Sequence, residues 1–208
     1  MLRVSRLALL LLLPLGGCAW LLTVPVEVRS DGPRTLWDLQ AVAPGGDPAP
    51  LGSWRGRVAL VVNTASECGF ADQLEGLERL QRRYAARGLV VLGVPSDDFG
   101  GQEPGSPEEI ERACRGDHGV TFPLFGKCRV RAGPEQAPVF AWLSARTGSL
   151  PGWNFGKYLV GRDGRARAFY ATPVAPQDPA LLAELEAALA EPALIVEPAP
   201  PAAIDSTS

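Results

Sequence analysis

Hydrophobic positions in this chain fall into runs of two kinds. Residues 57–63 (RVALVVN) and 89–94 (LVVLGV) are continuous and rich in valine. Their length and β-branched content predict strands covered on both faces. Between them Leu74, Leu77, Leu80 and Tyr84 recur at helical spacing, predicting a helix over residues 72–87 that Gly88 stops. A second helix is announced by Ser106-Pro107-Glu108-Glu109, where a capping hydroxyl, a first-turn proline and early carboxylates coincide, and it should end near Cys114 or Arg115. Residues 120–125 suit a short extended piece and 140–145 a brief helix. Lys157–Val160 and Ala166–Tyr170 flank the turn sequence Gly161-Arg-Asp-Gly164 as a hairpin, and Leu181, Leu182, Leu185 and Leu189 line a last amphipathic helix from Pro179 to Ala190. Upstream, residues 26–40 suit a short hairpin or edge element around Leu36, Trp37 and Leu39, while 42–50 read as a turn-rich connector. Strands alternating with helices, then a hairpin and a helix, predict a three-layer α/β domain.

The two ends depart from this pattern. Arg3 and Arg6 precede the apolar run LALLLLLPL, which closes on Leu15-Gly16-Gly17-Cys18. Basic, then apolar, then small is the order of a secretory signal. The ending LGGC resembles a bacterial lipoprotein signal, which implies cleavage before Cys18 and a lipid anchor on it. The competing reading is an uncleaved membrane helix over residues 7–24. Either way the folded part faces an extracytoplasmic space, which the lipoprotein resemblance makes the bacterial periplasm. The resulting organisation is a signal segment at 1–17, a membrane-proximal linker at 18–35, one domain at 36–190 and a proline-rich tail at 191–208.

Charge and cysteine usage narrow the function. Twenty basic and 23 acidic side chains give a net charge of −3, and no basic patch stands out, so nucleic acid is not an expected partner. Cys18, Cys68, Cys114 and Cys128 fit no compact metal-binding spacing, and His118 is the sole histidine, so neither metal nor cofactor is expected. Gly100, Gly101 and Gly105 lack the Gly-Lys-Ser/Thr ending of a phosphate loop.

Cys68 is the informative thiol. It follows a covered strand and precedes a helix, in VVNTASECGF, where helix dipoles and free backbone N–H groups can stabilise a thiolate. Burial as core filler is the more ordinary fate for a free cysteine, so position alone does not assign it. The segments NTASECGF, VPSDDFGGQEPGSPEEI, TFPLFGK and WNFGKYLV, in that order, resemble the glutathione peroxidase family over residues 37–189. The resemblance implies a thioredoxin-like α/β fold, a central mixed sheet flanked by helices. It also implies a catalytic set of Cys68, Gln102, Trp153 and Asn154, the last three being neutral donors around sulfur and peroxide. Cys114 matches the resolving cysteine of members reduced by thioredoxin-like dithiol proteins; a low-molecular-weight thiol is the other reductant class. Cys128 reads as an unpaired structural cysteine, and His118 as a solvated turn residue.

The implied activity is reduction of hydrogen peroxide or organic hydroperoxides through a Cys68 sulfenic acid. Thiol–disulfide exchange is an alternative, although Cys68-Gly69-Phe70-Ala71 has no second cysteine. A non-catalytic binding protein on the same fold is another. Ser96-Asp97-Asp98 stands where many members have Cys-Asn-Gln, and two carboxylates there oppose an anionic thiol unless the loop turns them away. The short 129–138 connector lacks room for the insertion associated with tetrameric relatives, so the resemblance implies a monomer.

Overall fold

The structure is a computed structural model in which residues 32–192 are described. The signal segment, Cys18, most of the 18–35 linker and most of the tail lie outside the described residues. From Leu36 to Asp38 the chain makes a 3-10 turn, with Thr35 and Asp38 capping each other, and buries Leu36 and Trp37. Strand β1 (Gln40–Val42) then pairs antiparallel with β2 (Pro48–Pro50). The connector expected at 42–50 is thus the turn and return strand of a hairpin. Its prolines hide it in the sequence, because proline donates no ladder hydrogen bond and is tolerated only on such an edge.

The continuous apolar runs become β3 (Val58–Thr64) and β4 (Leu89–Pro95), parallel and in register from Val58 opposite Leu89 to Thr64 opposite Pro95. Between them α1 (Gln73–Tyr84) and a 3-10 turn (Ala85–Arg87) supply the crossover. Gly88 ends it at φ 98°, a left-handed value that favours glycine. The expected hairpin forms from β5 (Lys157–Val160) and β6 (Ala166–Tyr170). Because β5 runs antiparallel to β3, with Val62 opposite Lys157, the sheet order is β4-β3-β5-β6 and the sheet is mixed.

Alternation along the strands divides the core. Val58, Leu60 and Val62 face a layer built by Leu74, Leu77 and Leu80 of α1 and Leu181, Leu185 and Leu189 of α4 (Pro179–Ala190). Ala59 and Val61 face the opposite layer, where α3 (Pro138–Thr147) contributes Phe140, Trp142 and Leu143 beside Leu36 and Trp37. Burial on both faces is what makes β3 and β4 read as unbroken apolar runs. The expected helix at 106–115 is α2 (Pro107–Arg112), opened by a Ser106–Glu109 capping box and continued as a π-helical turn over Ala113–Asp117. The extended piece at 120–125 joins β4 through a single parallel bridge between Gly93 and Leu124. Among the described residues no helix is long and apolar enough to cross a membrane.

Candidate active site

Cys68 lies beyond the carboxyl end of β3 and is 5% exposed. Successive turns carry the chain onward: the Cys68 N–H donates to Ala65 O, the Ala71 N–H to Cys68 O and the Leu74 N–H to Ala71 O. Helix α1 therefore begins at Gln73, later than a cysteine placed directly before a helix implies. Among the described residues the Gly69 and Phe70 N–H groups have no acceptor, so they remain open donors in the cysteine's own turn.

The loop after β4 is laced to this turn. Glu67 N–H donates to Gln102 O at 3.0 Å. The wholly buried Glu103 carboxylate accepts from both Ser66 N–H (3.0 Å) and Ser66 Oγ (2.5 Å). Burial pushes the Glu103 carboxyl above the ordinary carboxylate range, against the lowering effect of the Ser66 bonds and the Lys127 ammonium. Asp97 and Asp98 are both tied into the loop structure. Asp97 accepts from Glu103 N–H, while Asp98 accepts from the Val130 and Arg131 N–H groups and pairs with Arg129 at 2.9 Å.

The third component is the turn before β5. Its three successive carbonyls are each held by a side chain: Trp153 O by Asn63 Nδ2 (3.1 Å), Asn154 O by Thr172 Oγ1 (2.6 Å) and Phe155 O by Lys157 Nζ (2.7 Å). Phe155 is left-handed at φ 64°, and its N–H donates to Asn63 O at 2.7 Å. Such a strained residue persists only where its surroundings fix it, which these bonds do. Lys157 is fully buried, and burial lowers its ammonium to about 8.

Of the expected donors, Trp153 is 38% exposed with its ring beside Phe99, and Gln102 is half-buried. Asn154 is fully buried, and its Nδ2 donates to Phe99 O (3.2 Å) and Gln102 Oε1 (3.1 Å). Both N–H groups of Asn154 are thereby engaged, one of them on the Gln102 side chain, while its buried Oδ1 has no hydrogen-bond partner among the described residues. With its oxygen occupied, Gln102 keeps its own Nε2 hydrogens for donation, as Trp153 keeps its indole N–H.

Cys114 sits in the π-helical turn with no exposed surface, in the same apolar cluster as Cys68. Burial, with the nearby Glu103 charge, pushes its thiol up to about 12. Cys68, Cys114 and Cys128 are all free thiols. Burial also lifts Cys128 to about 12. His118 is only 17% exposed and lies beside Glu75, so it is not a solvated turn residue. Sequence reading missed Glu103 and Lys157. A carboxylate inside a Gly/Pro loop reads as solvated, whereas a lysine opening the apolar run Tyr158–Val160 was the available sign of a buried charge. No cluster of metal-binding side chains occurs among the described residues.

A buried thiol at a strand end, in a turn hydrogen-bonded to the Gln102–Glu103 loop and without the second cysteine of a C-x-x-C pair, suits peroxide chemistry better than C-x-x-C exchange. The fold and site thus define a thiol peroxidase of thioredoxin-like architecture. Comparison with known proteins carries this further: the family model "Glutathione peroxidase" matches residues 36–144. A glutathione peroxidase-like peroxiredoxin of Schizosaccharomyces pombe is 42% identical over 146 residues, covering 68% of this chain and 92% of that protein. A hydroperoxy fatty acid reductase of Synechocystis is 40% identical over 155 residues, covering 70% and 91%. Among solved structures, the apo form of Trgpx aligns with a TM-score of 0.61 at 30% identity, covering 76% of this chain and 98% of that one. A thiol:disulfide interchange protein of Chlorobium tepidum shares the fold, with a TM-score of 0.51 at 19% identity over 73% and 92%. The chain belongs to the glutathione peroxidase family, and it is a thiol-dependent peroxidase.

Proposed function

We propose that Cys68 is the peroxidatic residue of a membrane-tethered enzyme that reduces hydrogen peroxide or organic hydroperoxides, and that Cys114 resolves the oxidised form. The Cys68 thiolate attacks one peroxide oxygen, the O–O bond breaks, and the leaving hydroxide or alkoxide takes a proton and departs as water or alcohol. Cys68 is left as a sulfenic acid. The Gln102 Nε2 and Trp153 indole N–H stabilise charge developing on the peroxide oxygens, and Asn154 keeps the Gln102 amide aimed. The Cys114 thiol then condenses with the sulfenic acid, releasing water and forming a Cys68–Cys114 disulfide. Two electrons and two protons from an external dithiol protein or low-molecular-weight thiol restore both cysteines.

The observation that carries this reading is the hydrogen-bonded bracing of three segments around one strand end: the 66–68 turn to the 102–103 loop, and that loop to Asn154. Cys114 is enclosed, so disulfide formation requires its turn to open. A π-helical turn, a form that clusters at functional sites, supports a segment suited to that change. Stopped-flow measurement of peroxide decay tests the assignment: Cys68→Ser should abolish it, and unchanged decay would defeat it.

The order of basic, apolar and small residues ending in LGGC supports export, cleavage before Cys18, a lipid anchor on that cysteine and a periplasmic domain at 36–190. Mass spectrometry of the mature amino terminus should find a lipid-modified Cys18. The short 129–138 connector, closed on itself by the bridge between Arg129 and Gln136, supports a monomer. Sedimentation equilibrium should give the mass of one chain.

A further inference from the structure

Glu103 is a fully buried carboxylate outside the expected catalytic set, and its two oxygens are spent on a single residue, Ser66, two positions before Cys68. It stands next to Gln102, whose carbonyl receives the Glu67 N–H. The Asp97 carboxylate holds its own N–H, and Lys127 Nζ donates to the carbonyls of Glu103, Pro104 and Gly105 at 2.8, 3.4 and 3.2 Å. Ser106, the cap of α2, follows at once. Glu103 is therefore the node at which the Cys68 turn, the Gln102 loop and the helix leading to Cys114 are fastened together. A surface loop has no need of this: sinking a carboxylate costs free energy unless both oxygens are satisfied, and here both satisfy one backbone N–H and one hydroxyl of the cysteine's own turn.

We infer that Glu103 is a positioning residue for peroxide reduction, locking Ser66 so that the Cys68 sulfur and the Gln102 amide keep the separation and angle that peroxide attack requires. The inference rests on Cys68 being peroxidatic. It distinguishes position from charge, because glutamine at 103 preserves both contacts: its oxygen accepts the Ser66 N–H, and its NH2 donates to Ser66 Oγ once that hydroxyl turns around.

The experiment compares wild type, Glu103→Ala, Glu103→Gln, Ser66→Ala and the Glu103→Ala/Ser66→Ala double variant. For each, the second-order rate of Cys68 oxidation by hydrogen peroxide and of its alkylation by iodoacetamide is measured, with near-ultraviolet circular dichroism to verify the fold. Glu103→Ala should slow peroxide oxidation by roughly tenfold to a hundredfold, the scale of a small misplacement of reacting groups, and slow alkylation far less, since alkylation uses no donor alignment. Glu103→Gln should stay within about threefold of wild type, and the double variant should be no slower than Glu103→Ala alone, as expected of partners in one contact. Equal slowing of both reactions in Glu103→Ala, or additive effects of the two alanines, would overturn the inference. If Glu103→Ala does not fold, the Ser66→Ala and Glu103→Gln ratios decide the question: loss in Glu103→Gln as large as any other would mean that charge matters and position does not. A wild type whose Cys68 alkylates but does not react with peroxide would instead overturn the peroxidatic assignment.

Discussion

Cys68 and Cys114 share one apolar cluster, yet their settings are opposed. Cys68 occupies a turn braced by polar contacts on neighbouring residues, with open N–H donors at Gly69 and Phe70 and two exposed aromatics, Phe70 and Trp153, at the same end of the sheet. Cys114 has apolar surroundings, no exposed surface and a thiol that burial lifts to about 12. On the proposed mechanism the first thiol meets the peroxide and the second reacts only once its helical turn opens. The contrast teaches that two cysteines buried in one cluster can differ in the polar bonds that organise their own turns.

The sharpest way to break the comparison is to exchange the two losses. Cys68→Ser should reduce peroxide consumption by more than ~10³-fold, as removal of a nucleophile does, in stopped-flow decay. Cys114→Ala should leave the first oxidation of Cys68 within about twofold while turnover with a thioredoxin-like dithiol donor falls ~10- to 100-fold, because the withheld thiol contributes only after the first step. Equal damage by both variants to the first oxidation would erase the distinction. Next in size is Asn154→Ala, which frees Gln102 and strips two contacts from a buried site. Its oxidation rate should drop about tenfold and its stability by about 1–3 kcal/mol in urea titration.

The smallest effect concerns Lys157, the buried cation under the Trp153–Asn154 turn. Its ammonium titrates at about 8 in the folded protein against its ordinary 10.5, so between those values the unfolded chain holds the extra proton. Wild-type stability relative to Lys157→Met should therefore rise with pH from about 8 to about 10.5, and the cost of the buried charge should be complete below 8. Thermal midpoints of the pair, expected to lie further apart at pH 7 than at pH 10.5, check the sign.

Much of this was legible in the chain. Runs such as RVALVVN and LVVLGV announce covered strands because both faces of β3 and β4 are buried. The Ser106–Glu109 box marks the start of α2 because the cap is local chemistry. The four-residue site set came from resemblance, since the segments that carry Cys68, Gln102 and Asn154 are joined only by contacts distant in sequence, which no local pattern records. Residues 42–50 concealed a strand because prolines suppress its signature. The π-helical turn at Ala113–Asp117 was invisible because one residue more per turn barely alters the spacing of apolar positions. Glu103 and Lys157 escaped because their partners are mostly backbone atoms, whose positions the sequence does not display.

The antiparallel seating of β5 on β3 has a consequence in the life of the chain before it is folded. Asn63 and the Trp153 carbonyl it holds are separated by 90 positions, so the site exists only after that distant closure is complete. Contacts so remote in sequence form late, after local helices and turns. Until that closure Cys68 lacks the braced turn around it and is open to mispairing with Cys114 or Cys128. On the proposed mechanism, peroxide oxidation of this thiol therefore reports that β5 has seated on β3.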